Sequence, residues 1–294
     1  MKRHFVTLDV FTDRRFAGNP LAVVLEAAGL DDTAMQKIAR EFNISETVFV
    51  LPPAEAGHRA RARIFTPKGE LPFAGHPTAG TAVLLACLDG GDRERTFVLE
   101  EKIGPVTCRV TPAADRGRAT FVLPALPREI AAPPAAAELA AALGLKPGDI
   151  GFGPFTPGGW SAGVDFTFVP LKSRDAVARA THGGPQAAAL GRQGVFVFCG
   201  ETAEPGHDFH ARMFAPAFGV PEDPATGSAV AALAGLIARH AGLEDGDHTF
   251  TIEQGYEMDR PSLIELGLTL AGGKLTAASI GGGAVVVMEG TIEA

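Results

Sequence analysis

The chain has 294 residues, 46% hydrophobic and 20% charged, with a formal net charge of −8. This describes a globular chain long enough for one large domain or two ordinary ones, and not a disordered chain. The acidic balance argues against nucleic acid, which needs a surplus of Lys and Arg on some face, and no apolar run approaches the roughly 18–20 residues of a membrane helix. The three cysteines, Cys87, Cys108 and Cys199, are widely spaced and form no CxxC, so neither a disulfide framework nor structural zinc is expected. Met1 to Val6 runs straight into a strand pattern, so no secretory leader is expected and the expected compartment is the cytoplasm.

Taken in order, Phe5 to Phe11 alternates and reads as a strand. Phe16-Ala17-Gly18-Asn19-Pro20 is a turn, because Gly gives backbone freedom while Pro fixes φ and removes a donor. Leu21 to Leu25 is a second strand. Asp31 or Asp32 caps a helix to about Phe42, with Met35, Ile38, Ala39 and Phe42 on one face. Strands follow at Thr47–Leu51 and Arg59–Phe65. A helix over about Thr78–Leu88, apolar on every side, is expected to be buried. Further strands are expected at Thr96–Glu100, Gly104–Thr111 and Thr120–Leu123.

A Pro- and Ala-rich stretch from Ala125 to Glu138 marks a boundary. The second half offers a short helix near Pro134–Leu143 and a glycine-rich loop from Gly151 to Gly159 before Trp160. Next come a strand at Val164–Leu171, a short helix at Ser173–Ala180, and strands at Gly194–Cys199 and Asp208–Phe214. A second buried helix spans about Ala225 to His240. Strands at Thr249–Gln254, Ser262–Leu270, Lys274–Ser279 and Ala284–Ile292 close the chain.

The two buried helices open on twin stretches. Gly75-His76-Pro77-Thr78-Ala79-Gly80-Thr81-Ala82 corresponds to Glu222-Asp223-Pro224-Ala225-Thr226-Gly227-Ser228-Ala229, half the chain length away. At the same offset Val48-Phe49-Val50 matches Val195-Phe196-Val197. At nearly that offset Arg63-Ile64-Phe65-Thr66-Pro67 matches Arg212-Met213-Phe214-Ala215-Pro216. Three matches in one order read as two copies of one α+β fold: 1–125, with the strand near 280–294 expected to cross back to it, and 126–279. The active site is expected between them.

Each buried helix starts beside a titratable residue before a proline, His76 in one half and Asp223 in the other. Helix N-termini present unpaired N–H groups and partial positive charge, suited to carboxylates and enolate-like anions. Gly75, Gly227 and Ser228 would offer N–H groups without bulk. The plain alternative makes Asp223 an N-cap and His76 a hydrogen-bonded loop residue. Glu46 precedes the strand Thr47–Leu51, and its counterpart is Gln193. One acid facing an uncharged isostere fits a one-base proton transfer, against the alternative of a solvated surface Glu. The cysteines read as small core residues, Gly281-Gly282-Gly283 is no phosphate loop, and His207 with His210 makes no convincing metal pair.

At these residues the sequence resembles the phenazine-biosynthesis PhzF-like family, relatives of diaminopimelate epimerase. The segments that carry the resemblance are Asp9-Val10-Phe11, Phe16 to Val23 with Asn19, Ser45 to Phe49, Arg63 to Pro67, Glu70 to Thr78, Arg212 to Pro216 and Glu222 to Ala229. The resemblance implies two pseudo-symmetric repeats, each a β-barrel-like sheet around a central buried α-helix, and a homodimer. It implies isomerisation without cofactor or metal, with Glu46 as acid/base and His76, Asp223 and Ser228 in support. The paired cysteines of the epimerase relatives are missing from the helix starts. A small unsaturated or cyclic carboxylic acid is the expected substrate, held at Asn19, Gly75, Gly227 and Ser228. Glu46, walled by Phe49, is expected to have a raised pKa. The other readings are an epimerase, racemase or dehydratase of a small amino or hydroxy acid, and a non-catalytic carboxylate-binding protein.

Overall fold

The computed structural model describes residues 1–183, 187, 190–191 and 193–294. Their contacts divide the chain into one unit of Met1–Pro124 with Ile280–Ala294 and another of Ala125–Ser279. The first contains β1 (Lys2–Val10), β2 (Asn19–Val24), α1 (Asp32–Phe42), β3 (Glu46–Leu51), β4 (Ala60–Phe65), β5 (Glu70–Leu71), α2 (Gly75–Leu88), β6 (Arg95–Glu101), β7 (Gly104–Ala113) and β8 (Arg116–Val122). The second contains β9 (Arg128–Glu129), α3 (Ala136–Ala142), β10 (Gly158–Ser161), β11 (Asp165–Pro170), α4 (Arg174–Arg179) and β12 (Gly194–Cys199). It continues with β13 (Phe209–Ala215), β14 (Val220–Asp223), α5 (Gly227–His240), β15 (Gly246–Gln254) and β16 (Ser262–Ala271). The last strand, β17 (Lys274–Glu293), starts in the second unit and ends in the first.

In the first unit the strands form a ring. β1 pairs antiparallel with β2, β2 parallel with β3, β3 antiparallel with β4 and β4 parallel with β6. β6, β7 and β8 form a meander, β8 pairs with β17, and β17 returns to β1 from Lys2↔Glu293 to Val10↔Ala284. Inside lies α2, whose residues from Gly75 to Ala86 are all buried. That explains its lack of a polar face, since a helix enclosed by sheet has no water to meet. Val83, Leu84 and Leu85 each contribute about 1.5–3 kcal/mol by leaving water. Close packing depends on Gly80, where a Cβ would stand 2.6 Å from both Leu21 Cδ2 and Val10 Cγ2.

The opposite face of β2 and β3 carries α1. Val24, Phe49, Leu51 and Phe65 pack there with Met35 and Ala39. The Asp31 side chain accepts from Ala34 N at 2.8 Å, and Asn43 ends the helix in the left-handed region.

The second unit repeats this plan. β10, β11, α4, β12, β13, α5, β15 and β16 follow the order of β1, β2, α1, β3, β4, α2, β6 and β7. β11 pairs parallel with β12, and β13 parallel with β15. Two side-chain staples recur as well. Arg63 lies over the Phe65 ring and bonds Glu70, while Arg212 lies over the Phe214 ring and bonds Glu222. His58 meets Glu100, which also accepts from Ala54 N and Glu55 N; His207 meets Glu253, which accepts from Ala203 N and Glu204 N.

Three local expectations change. Gly281 to Gly283 stay within β17, so the two expected strands are one of 20 residues. The last two residues of the loop expected before Trp160, Gly158 and Gly159, open β10 (Gly158–Ser161), which pairs with β9 and β11. The first buried helix starts at Gly75, which places His76 within its first turn.

Candidate active site

In the first unit, Glu46 is the opening residue of β3, in register with Leu21 of β2. Residues i and i+2 of a strand share a face, so Glu46 lies on the same face as Val48, and Leu21 on that face meets Gly80 of α2. Phe49, three positions on, projects to the other face and packs with Phe65 in the α1 layer. The expected Phe49 wall beside Glu46 is therefore absent; a period of two forbids it.

His76 is buried in the first turn of α2. Its Nε2 stands 3.2 Å from Glu46 Oε2, with the histidine side chain 5% exposed and the glutamate side chain 16%. The ring also bonds the backbone of Pro20. Nε2 makes no hydrogen bond in this arrangement, so the Pro20 carbonyl takes the Nδ1 proton. Burial drives the imidazole pKa down to about 3, against the opposing pull of that bond. At neutral pH His76 is thus a neutral imidazole, protonated at Nδ1, with its Nε2 lone pair toward Glu46.

Asn19 is fully buried at the start of β2, opposite Val10. The preceding Gly18 has φ +65, and a Cβ there would stand 2.3 Å from Val10 O, so only glycine fits. This turn delivers Pro20 to His76. Pro20 is a site residue that local sequence pattern does not reveal, since its contribution is a carbonyl. Gly75 lies one position before His76, buried at the head of the helix.

In the second unit, Asp223 ends β14 and is 7% exposed. It is not the N-cap of α5; Thr226 is. Thr226 Oγ1 donates to Asp223 Oδ2 at 2.5 Å. Gln254, at the end of β15, binds both: its Nε2 donates to Asp223 O at 2.7 Å and to Thr226 Oγ1 at 3.0 Å, and its Oε1 accepts from Thr226 N at 3.0 Å. Gln254 is fully buried. Gly227 and half-buried Ser228 are the first two residues of α5. The first intrahelical bonds are made by Ala229 N and Val230 N to Thr226 O, so the Gly227 and Ser228 N–H groups precede the ladder.

Beside this group lies a buried histidine flanked by acids. His210 Nδ1 meets Glu253 Oε2 at 2.8 Å and Nε2 meets Glu257 Oε1 at 2.9 Å. Both ring nitrogens facing carboxylates call for an imidazolium. Burial alone would lower its pKa, but the bonds to Glu253 and Glu257 outweigh it and raise it. Burial likewise works against Glu253, and the bonds from His210, Ala203, His207 and Glu204 bring it down to about 2. Among the described residues no group of three or more His, Cys, Asp or Glu is arranged to hold a metal. Among the described residues no helix is long and apolar enough to cross a membrane.

Residues 8–290 match the family described as phenazine biosynthesis-like protein, PhzC-PhzF. The chain is 47% identical to an uncharacterized isomerase of Mesorhizobium japonicum over 99% of its length and 98% of that protein. It is 37% identical to the trans-2,3-dihydro-3-hydroxyanthranilate isomerase of Pseudomonas chlororaphis, over 98% and 99%. Among solved structures, a PhzF-family phenazine biosynthesis protein of Bacillus anthracis superposes with a TM-score of 0.88 over all of both chains, at 26% identity.

Proposed function

This chain belongs to the phenazine biosynthesis-like PhzC-PhzF family and is an isomerase, and from that premise we propose that it moves a proton and a double bond within a small unsaturated carboxylic acid, with Glu46 as the acid/base. Trans-2,3-dihydro-3-hydroxyanthranilate, the substrate named for its relatives, is the first compound to test.

The observation that supports this reading is the Glu46–His76 pair, 3.2 Å apart, backed by the Pro20 carbonyl. Pairs in the free enzyme are often loose and tighten when substrate arrives. Glu46 breaks a C–H bond at one carbon and its carboxyl returns a proton to another carbon of the same π system. One C–H bond is lost, one is gained, and the double bond shifts between them. The step is redox-neutral, so no electron carrier enters its balance. His76, neutral and with a lone pair toward Glu46, accepts a hydrogen bond from the acid form and so holds the carboxyl in place. We assign the substrate carboxylate to the N–H groups of Gly227 and Ser228 at the start of α5, with Asn19 and Gly75 as further contacts. Asp223, fixed by Thr226 and Gln254, orients a polar group of the substrate.

The test is proton NMR of trans-2,3-dihydro-3-hydroxyanthranilate in D2O with wild type and with Glu46→Ala. Conversion with deuterium entering the product, seen with wild type alone, supports the reading. Deuterium exchange at one carbon without double-bond migration would replace it with epimerase chemistry. Equal turnover by Glu46→Ala would remove Glu46 from the reaction.

A further inference from the structure

Glu101, the last residue of β6, is a buried carboxyl that the reaction above does not use. It is 7% exposed. Its Oε1 lies 2.6 Å from Thr78 Oγ1, and its Oε2 has no hydrogen-bond partner among the described residues. Thr78 Oγ1 is also 2.8 Å from the carbonyl of Ala74, the N-cap residue of α2.

These two contacts cannot both be donated by threonine. A hydroxyl carries one proton and two acceptor lone pairs. Were Glu101 ionised, either the Ala74 carbonyl or the carboxylate would face a bare oxygen at bonding distance. A proton on Glu101 resolves this: Glu101 Oε1–H donates to Thr78 Oγ1, and Thr78 Oγ1–H donates to Ala74 O. The unpartnered Oε2 agrees, because an unsatisfied oxygen costs far less on a neutral acid than on a carboxylate.

We propose that Glu101 is a neutral acid and a positioning residue, which through Thr78 clamps the Ala74 carbonyl and so fixes the first turn of α2 that carries Gly75 and His76. The inference rests on the reading of Glu46 and His76 as the reacting pair. Burial, opposed by the Thr78 bond, pushes the Glu101 carboxyl up to about 8. The other titratable groups on the surrounding elements have their own partners or stay neutral. Cys108 of β7 is a buried thiol whose pKa is raised by burial. His76 of α2 engages Glu46 and Pro20. Glu70 of β5 pairs with Arg63 of β4 and with Lys102, and Arg61 of β4 is exposed. Above the pH where Glu101 ionises, Thr78 has one proton for two acceptors and the clamp opens.

The experiment is a carboxyl-carbon NMR titration of the full chain labelled with 13C at the glutamate carboxyls, alongside pH profiles of isomerisation. One signal is expected at the protonated position at pH 7, titrating near pH 8. Glu101→Gln removes it; Thr78→Val, which takes away its partner, moves its midpoint up and identifies it should the first variant not fold. In the wild type kcat is expected to fall through the same pH range. Glu101→Gln, which keeps a donor toward Thr78, is expected to lose that alkaline decline, and Glu101→Ala to lower kcat by about 10- to 100-fold at every pH. Glutamate signals that are all ionised at pH 7 would overturn the proposal, as would an alkaline decline retained in Glu101→Gln. Should no turnover of the test substrate be found, the carboxyl titration still reads the clamp. The His76 ring 15N shifts then replace kcat: they are expected to move through pH 8 in wild type, and their constancy would overturn the positioning role.

Discussion

Glu46 and His76, the first residue of a strand and the second residue of a buried helix, face each other across 3.2 Å, carboxyl oxygen to unprotonated ring nitrogen. General acid–base transfer by a positioned carboxyl is worth roughly 10²–10⁴-fold. Glu46→Gln is expected to lower kcat by about that factor. Glu46 is half-buried and Gln keeps its shape, so the melting temperature should change little. Steady-state kinetics and thermal unfolding on the same sample check both statements.

His76 couples folding to acid. Its folded pKa, about 3, lies below the ordinary 6.5 because burial disfavours the charged ring. The folded state therefore binds fewer protons than the unfolded state between those values, and stability is lost as pH falls from 6.5 toward 3. His76→Asn, which can still donate to Pro20, should flatten that acid slope. Urea unfolding at pH 7 and pH 4.5 gives the comparison.

His210 works with the opposite sign. Its raised pKa gives stability that is full below 6.5 and is lost as pH rises through the folded value. Glu253, brought down to about 2, contributes stability that is present above 4.5 and lost as pH falls toward 2. The cluster is thus at its strongest between pH 4.5 and 6.5. His210→Leu leaves Glu253 buried without this partner and is expected to cost about 3–5 kcal/mol at pH 5.5, and less at pH 9. Denaturant unfolding at the two pH values tests it.

Gly80→Ala places a methyl group 2.6 Å from Leu21 Cδ2 and Val10 Cγ2 in the core of the first unit. Overpacking of this kind costs about 1–3 kcal/mol. Because Leu21 is in register with Glu46, kcat should fall along with the melting temperature.

Gln254→Ala strips bonds from Thr226 N, Thr226 Oγ1 and the Asp223 carbonyl together. Leaving buried groups unsatisfied costs about 1–3 kcal/mol. A role for Asp223 in orienting substrate predicts a rise in KM as well, which stability loss alone would not produce.

What could be read in the sequence was what the chain repeats. The twin stretches around His76 and Asp223, the Arg63 and Arg212 segments and the apolar runs after them point to two copies of one set of strands around a buried helix, because burial on all sides leaves a helix with no polar face; the barrel came from the family resemblance. Helix α1 was legible for a local reason, its Asp31 cap and its three-and-four spacing. What escaped reading depends on contacts between distant residues. Pro20 acts through a carbonyl, which no side-chain pattern announces. Gln254 reaches Thr226 from 28 positions away, and Glu101 meets Thr78 across 23. Phe49 was assigned to the wrong face because a glutamate three residues earlier looks near in sequence, while a strand alternates. The triglycine looked like a break, yet Gly283 sits where a Cβ would stand 2.7 Å from Thr12 O, so small residues there let another backbone come close.

The path of β17 sets an order on synthesis. The second unit is continuous from Ala125 to Ser279 and has all its residues before Ile280 is added. The first unit lacks Ile280–Ala294, including the strand that pairs with β1 from Lys2 to Val10, until those residues have been made. The half made first is therefore the half completed last. During translation β1 waits with an open edge, a fragment ending at Pro124 keeps that edge open, and loss of Ile280–Ala294 acts on the barrel to which β1 belongs.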